Sequence, residues 1–376
     1  MTVAAFMDLA LYHPDFGYYA RAAQRSGRAG DFFTSVDVGP LFGELLEIQL
    51  AEMAQILATP AGRPASGGQP GPSETAVDQL DLVEAGAGNG RLSADILRAA
   101  RRHDQHFYDR IRLHLVEASA IARASQRIIL DETVERLVSS SPELPPTFEG
   151  VLVANELLDA LPVHQVVMRD DGLREVYVDS ELRTREGALS TPGLAAYLAS
   201  LGVELEPGWR AEINLHAVQW IRDAARRLRR GFMIIVDYGH EARELYSAAH
   251  AGGTLTSFSR HVMAGPESPR ASPPWLERPG EQDITAHVDF TSVRRAAEAE
   301  GLITLGFLDQ TYFLLGLLTQ GRGPEAFTDE DTPSERRRLK TLLMPGGLGS
   351  SHKVLLLGKH VGQPALVGCS FRQRVT

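Results

Sequence analysis

At 376 residues with a net charge of −10 (38 basic against 48 acidic side chains), the chain can form one large α/β domain or a core with a second lobe, and it lacks the basic excess of a phosphate-backbone binder. Its longest apolar runs, such as FMIIV (232–236), have the length of buried strands and fall short of the roughly 18 residues of a membrane span. A single cysteine, Cys369, excludes an intrachain disulfide framework and a cysteine-rich zinc site, and without a signal peptide the expected compartment is a reducing cytoplasm.

Residues 2–11 (TVAAFMDLAL) predict an apolar helix with Thr2 as its cap. An aromatic turn, YHPDFGYYA, and a glycine-punctuated loop, SGRAGDFFTS (26–35), follow. Apolar positions at 41, 42, 45, 46, 48, 50, 53, 56 and 57 predict a second helix over 39–57 with a wide buried face. Residues 59–75 hold ten Gly, Pro or Ser in seventeen, a composition that reads as a flexible excursion. We therefore expect residues 1–75 to form a helical cap with the GDFFTS loop, ahead of a core over 76–376.

Strands are predicted at 80–84, 111–116, 151–154 and 232–237, and helices at 91–102, 119–131 and 214–230, the last ending in Arg-Arg-Gly. Near-continuous apolar strands alternating with helices predict a mostly parallel sheet covered on both faces. The core is expected to carry insertions near 163–210 and 240–290. Within the first, alternation around Asp-Asp-Gly in 163–190 predicts an antiparallel hairpin. Within the second, the breaker-rich stretch 264–280, with Trp275, reads as a long loop of the lid type. VDFTSVRRAAEAEGLITLGFLDQ predicts a helix and then a strand, and KVLLLG (353–358) a late strand.

The segment LDLVEAGAGNGRL (80–92) carries the chemistry. A loop that leaves a parallel strand and opens a helix presents free N–H groups to a ligand. Here Gly86, Gly88 and Gly90 form G-x-G-x-G behind Glu84. A dinucleotide fingerprint needs its third glycine one position later, where Arg91 stands, and a P-loop needs Gly-Lys-Ser/Thr, which is missing. Glu117, ending IRLHLVE, is placed to accept both hydroxyls of a ribose. The bland alternative is a tight strand-to-helix turn with incidental glycines.

YHPDFGYYA, GDFFTS, FGELL (42–46), EAGAGNGRLSADIL (84–97), VEAS (116–119), ANELLDALPVHQ (154–165), VDYG (236–239), GTLTSFSRH (253–261), GEQDITAHVDFTSV (280–293) and MPGGLGSSHKVLLLGK (344–359) resemble, in that order, the MidA-like methyltransferase family. The resemblance covers essentially the whole chain. It implies a class I methyltransferase (Rossmann-like) α/β fold, S-adenosyl-L-methionine as cofactor and protein arginine N-methylation in a bacterial cytoplasmic member. The chain departs from the family at Ala85-Gly86-Ala87-Gly88, where Leu-Gly-Pro-Gly is usual, and at Ser35-Val36-Asp37, where Ser-Pro-Glu is usual.

By the family pattern, Glu84, Gly86, Gly88 and Gly90 line the methionine and ribose side of the cofactor, with the acid facing the methionine ammonium. Glu117 holds the ribose, and Thr34 and Ser35 supply hydroxyls to the cofactor carboxylate. In an alternative reading, Gly30-Asp31 is a simple turn and Phe32-Phe33 are core. Asn155, Glu156 and Asp159, after the fourth strand, are the expected catalytic group, with Asn155 also beside the cofactor. For an arginine acceptor, a fixed carboxylate pair orients the guanidinium and receives its proton. The alternative is that Asp159 caps a turn and Glu156 faces solvent. Tyr238 and Gly239 fall beside the same crevice. His261, and His287 with Asp289, are base or channel candidates against a structural role. No spaced metal-ligand motif is present, so no metal is expected. Three functions stay open: a protein arginine methyltransferase, a methyltransferase for a small molecule or natural product, and a non-catalytic assembly chaperone that keeps the fold. No nucleic acid and no membrane span are expected, and the oligomeric state has no signature.

Overall fold

The computed structural model describes residues 1–21, 34–58, 78–259, 262–263, 273–321, 333–343, 349 and 351–371. His261, most of the GDFFTS loop, the 59–75 stretch and residues 264–272 lie outside them. No helix among the described residues is long and apolar enough to cross a membrane.

In chain order the strands are β1 (Leu80–Ala85), β2 (Ile111–Val116), β3 (Leu137–Ser141), β4 (Phe148–Asn155), β5 (His164–Arg169), β6 (Gly172–Val178), β7 (Thr184–Gly187) and β8 (Arg210–Ile213). They continue with β9 (Leu228–His240), β10 (Thr256–Ser259), β11 (Val262–Met263), β12 (Asp283–Thr285), β13 (Val288–Asp289), β14 (Ile303–Asp309) and β15 (His352–Lys359). The chain divides into two compact units.

One unit holds residues 34–155, 223–236 and 297–376, within the described set. Its sheet runs β14-β15-β9-β4-β1-β2-β3. The β1–β2, β1–β4, β2–β3 and β4–β9 pairs are parallel, and β14–β15 is antiparallel. This is the expected mostly parallel α/β sheet. Strand order reverses at β1, which has β2 on one side and β4 on the other, so a ligand crevice is expected beyond the carboxyl ends of these strands. Helices Leu41–Ala58 and Arg91–His103 cover the sheet through Phe42, Leu46, Leu50, Ile96 and Leu97, all essentially buried. Phe42, Leu46 and Leu50 are among the apolar positions whose helical spacing predicted the first of these helices.

The last predicted helix ends sooner than Arg-Arg-Gly implied. It spans Leu215–Arg227, and Leu228 already pairs with Phe148 in the sheet. Gly231 is not a helix terminator but a mid-strand residue opposite Gly150. A Cβ on it would lie 1.9 Å from the Gly150 carbonyl oxygen, and one on Gly150 2.1 Å from that of Asp81. Glycine is required here by the close approach of three backbones.

The second unit holds the described residues among 1–33, with 156–222 and 237–296. The predicted hairpin is present as β5–β6, turning at Asp170-Asp171, and it is widened by β7 and β8 into an antiparallel sheet of order β7-β6-β5-β8. Helix Val3–Tyr12 is capped as expected: the Thr2 hydroxyl accepts from the Ala5 N–H at 3.1 Å. Its apolar face packs on Val163, Val167, Val176 and Trp275. Trp275 is therefore not the tip of a lid. It is 1% exposed and meets Phe6 edge-on at 5.7 Å between ring centroids. Its large apolar ring outweighs the loop-like composition around it.

Candidate active site

β1 ends at Ala85, and the following loop is held by its neighbours. The N–H groups of Gly86 and Ala87 donate to the Val116 carbonyl at 2.9 and 3.1 Å, and that of Gly90 to the Ala87 carbonyl at 2.8 Å. Gly86, Gly88 and Gly90 all have positive φ, and Gly90 caps helix Arg91–His103. At Gly88 (φ 51°) a Cβ would meet nothing within 4 Å, so the loop leaves open space on that side.

Glu117 locks this loop. Its Oε2 accepts the Gly88 N–H at 2.8 Å and its Oε1 the Ser119 N–H at 2.7 Å, while Gln126 Nε2 donates to the Gly88 carbonyl at 2.8 Å. Each carboxylate oxygen keeps a further lone pair for a hydroxyl donor. Glu84 is buried, and its Oε2 accepts both the Ser93 hydroxyl and the Ser93 N–H, the latter at 3.2 Å. Burial pushes its carboxyl up to about 7, against the opposing Ser93 hydrogen bonds and with the help of Glu117 and Asp95. A cation beside it would restore the ionised form.

Thr34 and Ser35 do not offer free hydroxyls. The Thr34 N–H and Oγ1 both donate to Asp37 Oδ2 at 3.1 Å, and the fully buried Ser35 Oγ donates to Gln310 Oε1 at 3.1 Å. The expected donors are instead satisfied by neighbours in the fold. Asp37 also meets Arg91, the first residue of the helix after the glycine loop, at 3.3 Å. Sequence reasoning passed over this Asp37–Arg91 link, although the Ser35-Val36-Asp37 departure marked its position.

Asn155 is the last residue of β4 in this unit, paired with Val236 in β9. A second group of polar side chains forms in the other unit. Glu156 follows with φ 50°, a left-handed conformation that costs a non-glycine residue roughly 1–3 kcal/mol. Asp237 Oδ2 faces three successive N–H groups, of Leu157, Leu158 and Asp159, at 3.2, 2.8 and 3.4 Å. Burial first, and then the charges of Asp159 and Glu156, push the Asp237 carboxyl far above the usual range. Tyr238 is also raised, by burial and by Glu156, Asp159 and Asp237. The Tyr19 hydroxyl donates to both oxygens of Asp283 at 3.0 Å, and its own titration is raised by burial, Asp283, Tyr12 and Asp159. The Tyr12 hydroxyl donates to the Ala160 carbonyl at 3.0 Å.

Glu156 and Asp159 thus come together with Asp237, Tyr238, Tyr19 and Asp283. The last two and Asp237 were missed as site residues, although YHPDFGYYA, VDYG and GEQDIT had been singled out as motifs. Asp289 takes a structural place: its Oδ1 accepts the N–H groups of Thr291 and Ser292 at the start of helix Phe290–Ala299, and Tyr197 donates to its Oδ2 at 2.8 Å.

Comparison with known proteins identifies the family. A family model of S-adenosyl-L-methionine-dependent methyltransferases matches residues 46–308. The chain is similar to the mitochondrial protein arginine methyltransferase NDUFAF7 of Mus musculus, at 29% identity over 90% of this chain and 76% of the relative. It is also similar to the NDUFAF7 homolog of Drosophila melanogaster, at 26% identity over 98% and 85%. Among solved structures, it resembles a COG1565 superfamily member from Burkholderia thailandensis bound to S-adenosyl-homocysteine, with 27% identity, a TM-score of 0.82, and coverage of 100% of this chain and 92% of that one. A strand-loop-helix with three glycines behind a buried acid, on a sheet of this order, is what such a cofactor needs, and the chain belongs to the MidA-like family of S-adenosyl-L-methionine-dependent methyltransferases.

Proposed function

We propose that the methyl acceptor is an arginine side chain of a protein, and that Glu156 and Asp159 receive it. The observation that carries this reading is the crowding of Glu156, Asp159 and Asp237. The carboxyl of Asp237 is raised first by burial and then by its two acidic neighbours, so the cluster favours a cation. A guanidinium is such a cation, and its planar fork suits a pair of carboxylates. The relatives named as protein arginine methyltransferases support the same acceptor class.

The described residues fit the cofactor through the open side of Gly88 and the remaining lone pairs of Glu117. S-adenosyl-L-methionine supplies an electrophilic methyl group on a sulfonium. We assign Glu84 to the ammonium end and Glu117 to the ribose. Thr34 and Ser35 act through Asp37 and Gln310 rather than as direct donors.

On the acceptor side, a guanidinium with a pKa above about 12 is a poor nucleophile while charged. Glu156 and Asp159 orient it and draw its positive charge away from the attacking nitrogen, with Asn155 orienting. With the cofactor bound, the methyl group would go to the guanidinium nitrogen, and Glu156 or Asp159 would take the proton that this nitrogen releases. The small-molecule reading drew on Trp275 as part of a lid, and a core position for that residue removes its support. A single cysteine keeps a reducing, cytoplasmic compartment as our reading.

Radiolabelled methyl transfer into a host-cell lysate, separated into protein and small-molecule fractions, tests the acceptor. Acid-stable label on arginine in the protein fraction is expected. Label confined to small molecules would overturn the proposal, and failure to bind cofactor at all would return the chaperone reading.

A further inference from the structure

Linear spacing showed no metal-ligand motif, yet the fold gathers His240, His250 and His287 in the second unit. One ring nitrogen from each lies within 4.8 Å of the others, and all three residues are half-buried. Their ring centroids stand 4.9, 5.4 and 5.9 Å apart. We infer that these three imidazoles form a site for one divalent transition-metal ion of the zinc class, a site that methyl transfer does not require.

Two features support this beyond proximity. Glu244 lies beside two of the rings: its main-chain carbonyl accepts from His250 Nδ1 at 3.0 Å, and its carboxylate stands 3.0 Å from His240 Nδ1. A protonated Nδ1 tied to a carbonyl, as at His250, leaves Nε2 as the lone-pair nitrogen, which is how metal-bound histidines are commonly oriented. His287 Nδ1 is buried with no hydrogen-bond partner among the described residues, and an orphaned ring nitrogen in a residue packed against two other imidazoles calls for a ligand.

The donor set selects the ion. Imidazole nitrogens suit zinc, copper, nickel or cobalt rather than calcium or magnesium, which need oxygen cages. Zinc–nitrogen bonds of about 2.0–2.1 Å in tetrahedral geometry place ligand atoms about 3.4 Å apart, so nitrogens that lie within 4.8 Å of one another close by at most about 1.4 Å on the ion. The fourth position is left to water.

The three ligands sit on separate segments. His240 ends β9, His250 lies in the short helical turn Ala248–His250, and His287 precedes β13, which pairs with the end of β9. The N–H of Ala286, beside His287, donates to the Asp159 carbonyl at 3.1 Å. A bound ion therefore ties together the segments that carry Asp237 and support Asp159.

The test uses the full-length protein, stripped with a chelator and titrated with cobalt chloride. One equivalent is expected to develop the intense visible absorption of four- or five-coordinate cobalt, displaced by zinc. His250→Ala, in an exposed turn, and His287→Asn are expected to weaken binding by about 100-fold or more. His106→Ala, an exposed histidine elsewhere, is expected to bind as the parent does. Zinc is also expected to raise the melting temperature of the parent and not that of His250→Ala, with both melting alike when metal-free. A cobalt spectrum that stays octahedral, or parent-like binding in a folded His250→Ala, overturns the inference.

Discussion

Binding of S-adenosyl-L-methionine at pH 7 is expected to expel about half a proton from Glu84, because its carboxyl, raised to about 7, is half protonated in the free protein. The ammonium of the ligand favours the ionised form. If it restores the ordinary carboxylate value of 4.5, affinity rises about 70-fold between pH 5 and pH 8 and then levels. Calorimetry at pH 7 in two buffers of different ionisation enthalpy measures the proton directly: about 0.5 released, falling to about 0.1 at pH 8. The stability consequence has the opposite sign. A carboxyl raised from 4.5 to about 7 favours the fold fully below pH 4.5, and this contribution is lost as pH rises through 7. Glu84→Gln is therefore expected to gain about 3 kcal/mol of stability at pH 8 relative to the parent, and little at pH 4.5. The same variant is expected to lose the proton release and to bind cofactor more weakly. Equal heats in the two buffers at pH 7, or unaltered proton release in Glu84→Gln, would refute the placing of the ammonium at Glu84.

Substitutions at three further positions address the remaining parts of the site. Glu156→Gln is expected to leave cofactor affinity intact and lower turnover about 100-fold or more, and unchanged turnover in a labelled-methyl assay would remove Glu156 from the chemistry. Gly88→Ala places a methyl group in the open side of the loop at a cost of about 1 kcal/mol for the positive φ, so calorimetry should show at least about tenfold weaker cofactor binding in a protein that still folds. Undiminished affinity would mean that the cofactor does not pass there. Asp237→Ala strips three N–H groups of their acceptor and is expected to lose about 3 kcal/mol in urea unfolding, whereas Asp237→Asn, which keeps an acceptor and cannot ionise, stays within about 1 kcal/mol of the parent. Equal stability of the parent and the alanine variant would contradict the role given to that carboxylate.

The parts of the fold legible in the sequence were those written in local periodicity. Helix Leu41–Ala58 and strands β1, β2 and β4 each carry their pattern within a single window, and the glycine loop carries its geometry in three residues. Glu117 was equally legible, because a strand end followed by a capped helix places its carboxylate beside the neighbouring loop. What escaped was decided by residues far apart. The end of helix Leu215–Arg227 depends on strand pairing with Phe148 and on the Gly150–Gly231 approach, so Arg-Arg-Gly misled as a terminator. Trp275 looked like a loop residue because its partner Phe6 lies at the other end of the sequence. Ser35 looked like a free hydroxyl because Gln310 could not be foreseen. The same holds for the histidines: ligand spacing is a local signal, and His240, His250 and His287 meet only through tertiary folding.

The seat of Asp237 has a consequence for the order in which the protein matures. The amides of residues 157–159 wait for a carboxylate 79 positions further along than Leu158. At synthesis rates of about 5–20 residues per second, the acceptor is made about 4–16 s after the donors. Until then the Glu156 loop has nothing to wrap around and no reason to keep its left-handed turn. A nascent chain therefore acquires its acid pair late, after β1, β2 and the glycine loop have been made, so a ribosome-bound fragment ending before Asp237 is expected to be incompetent in methyl transfer.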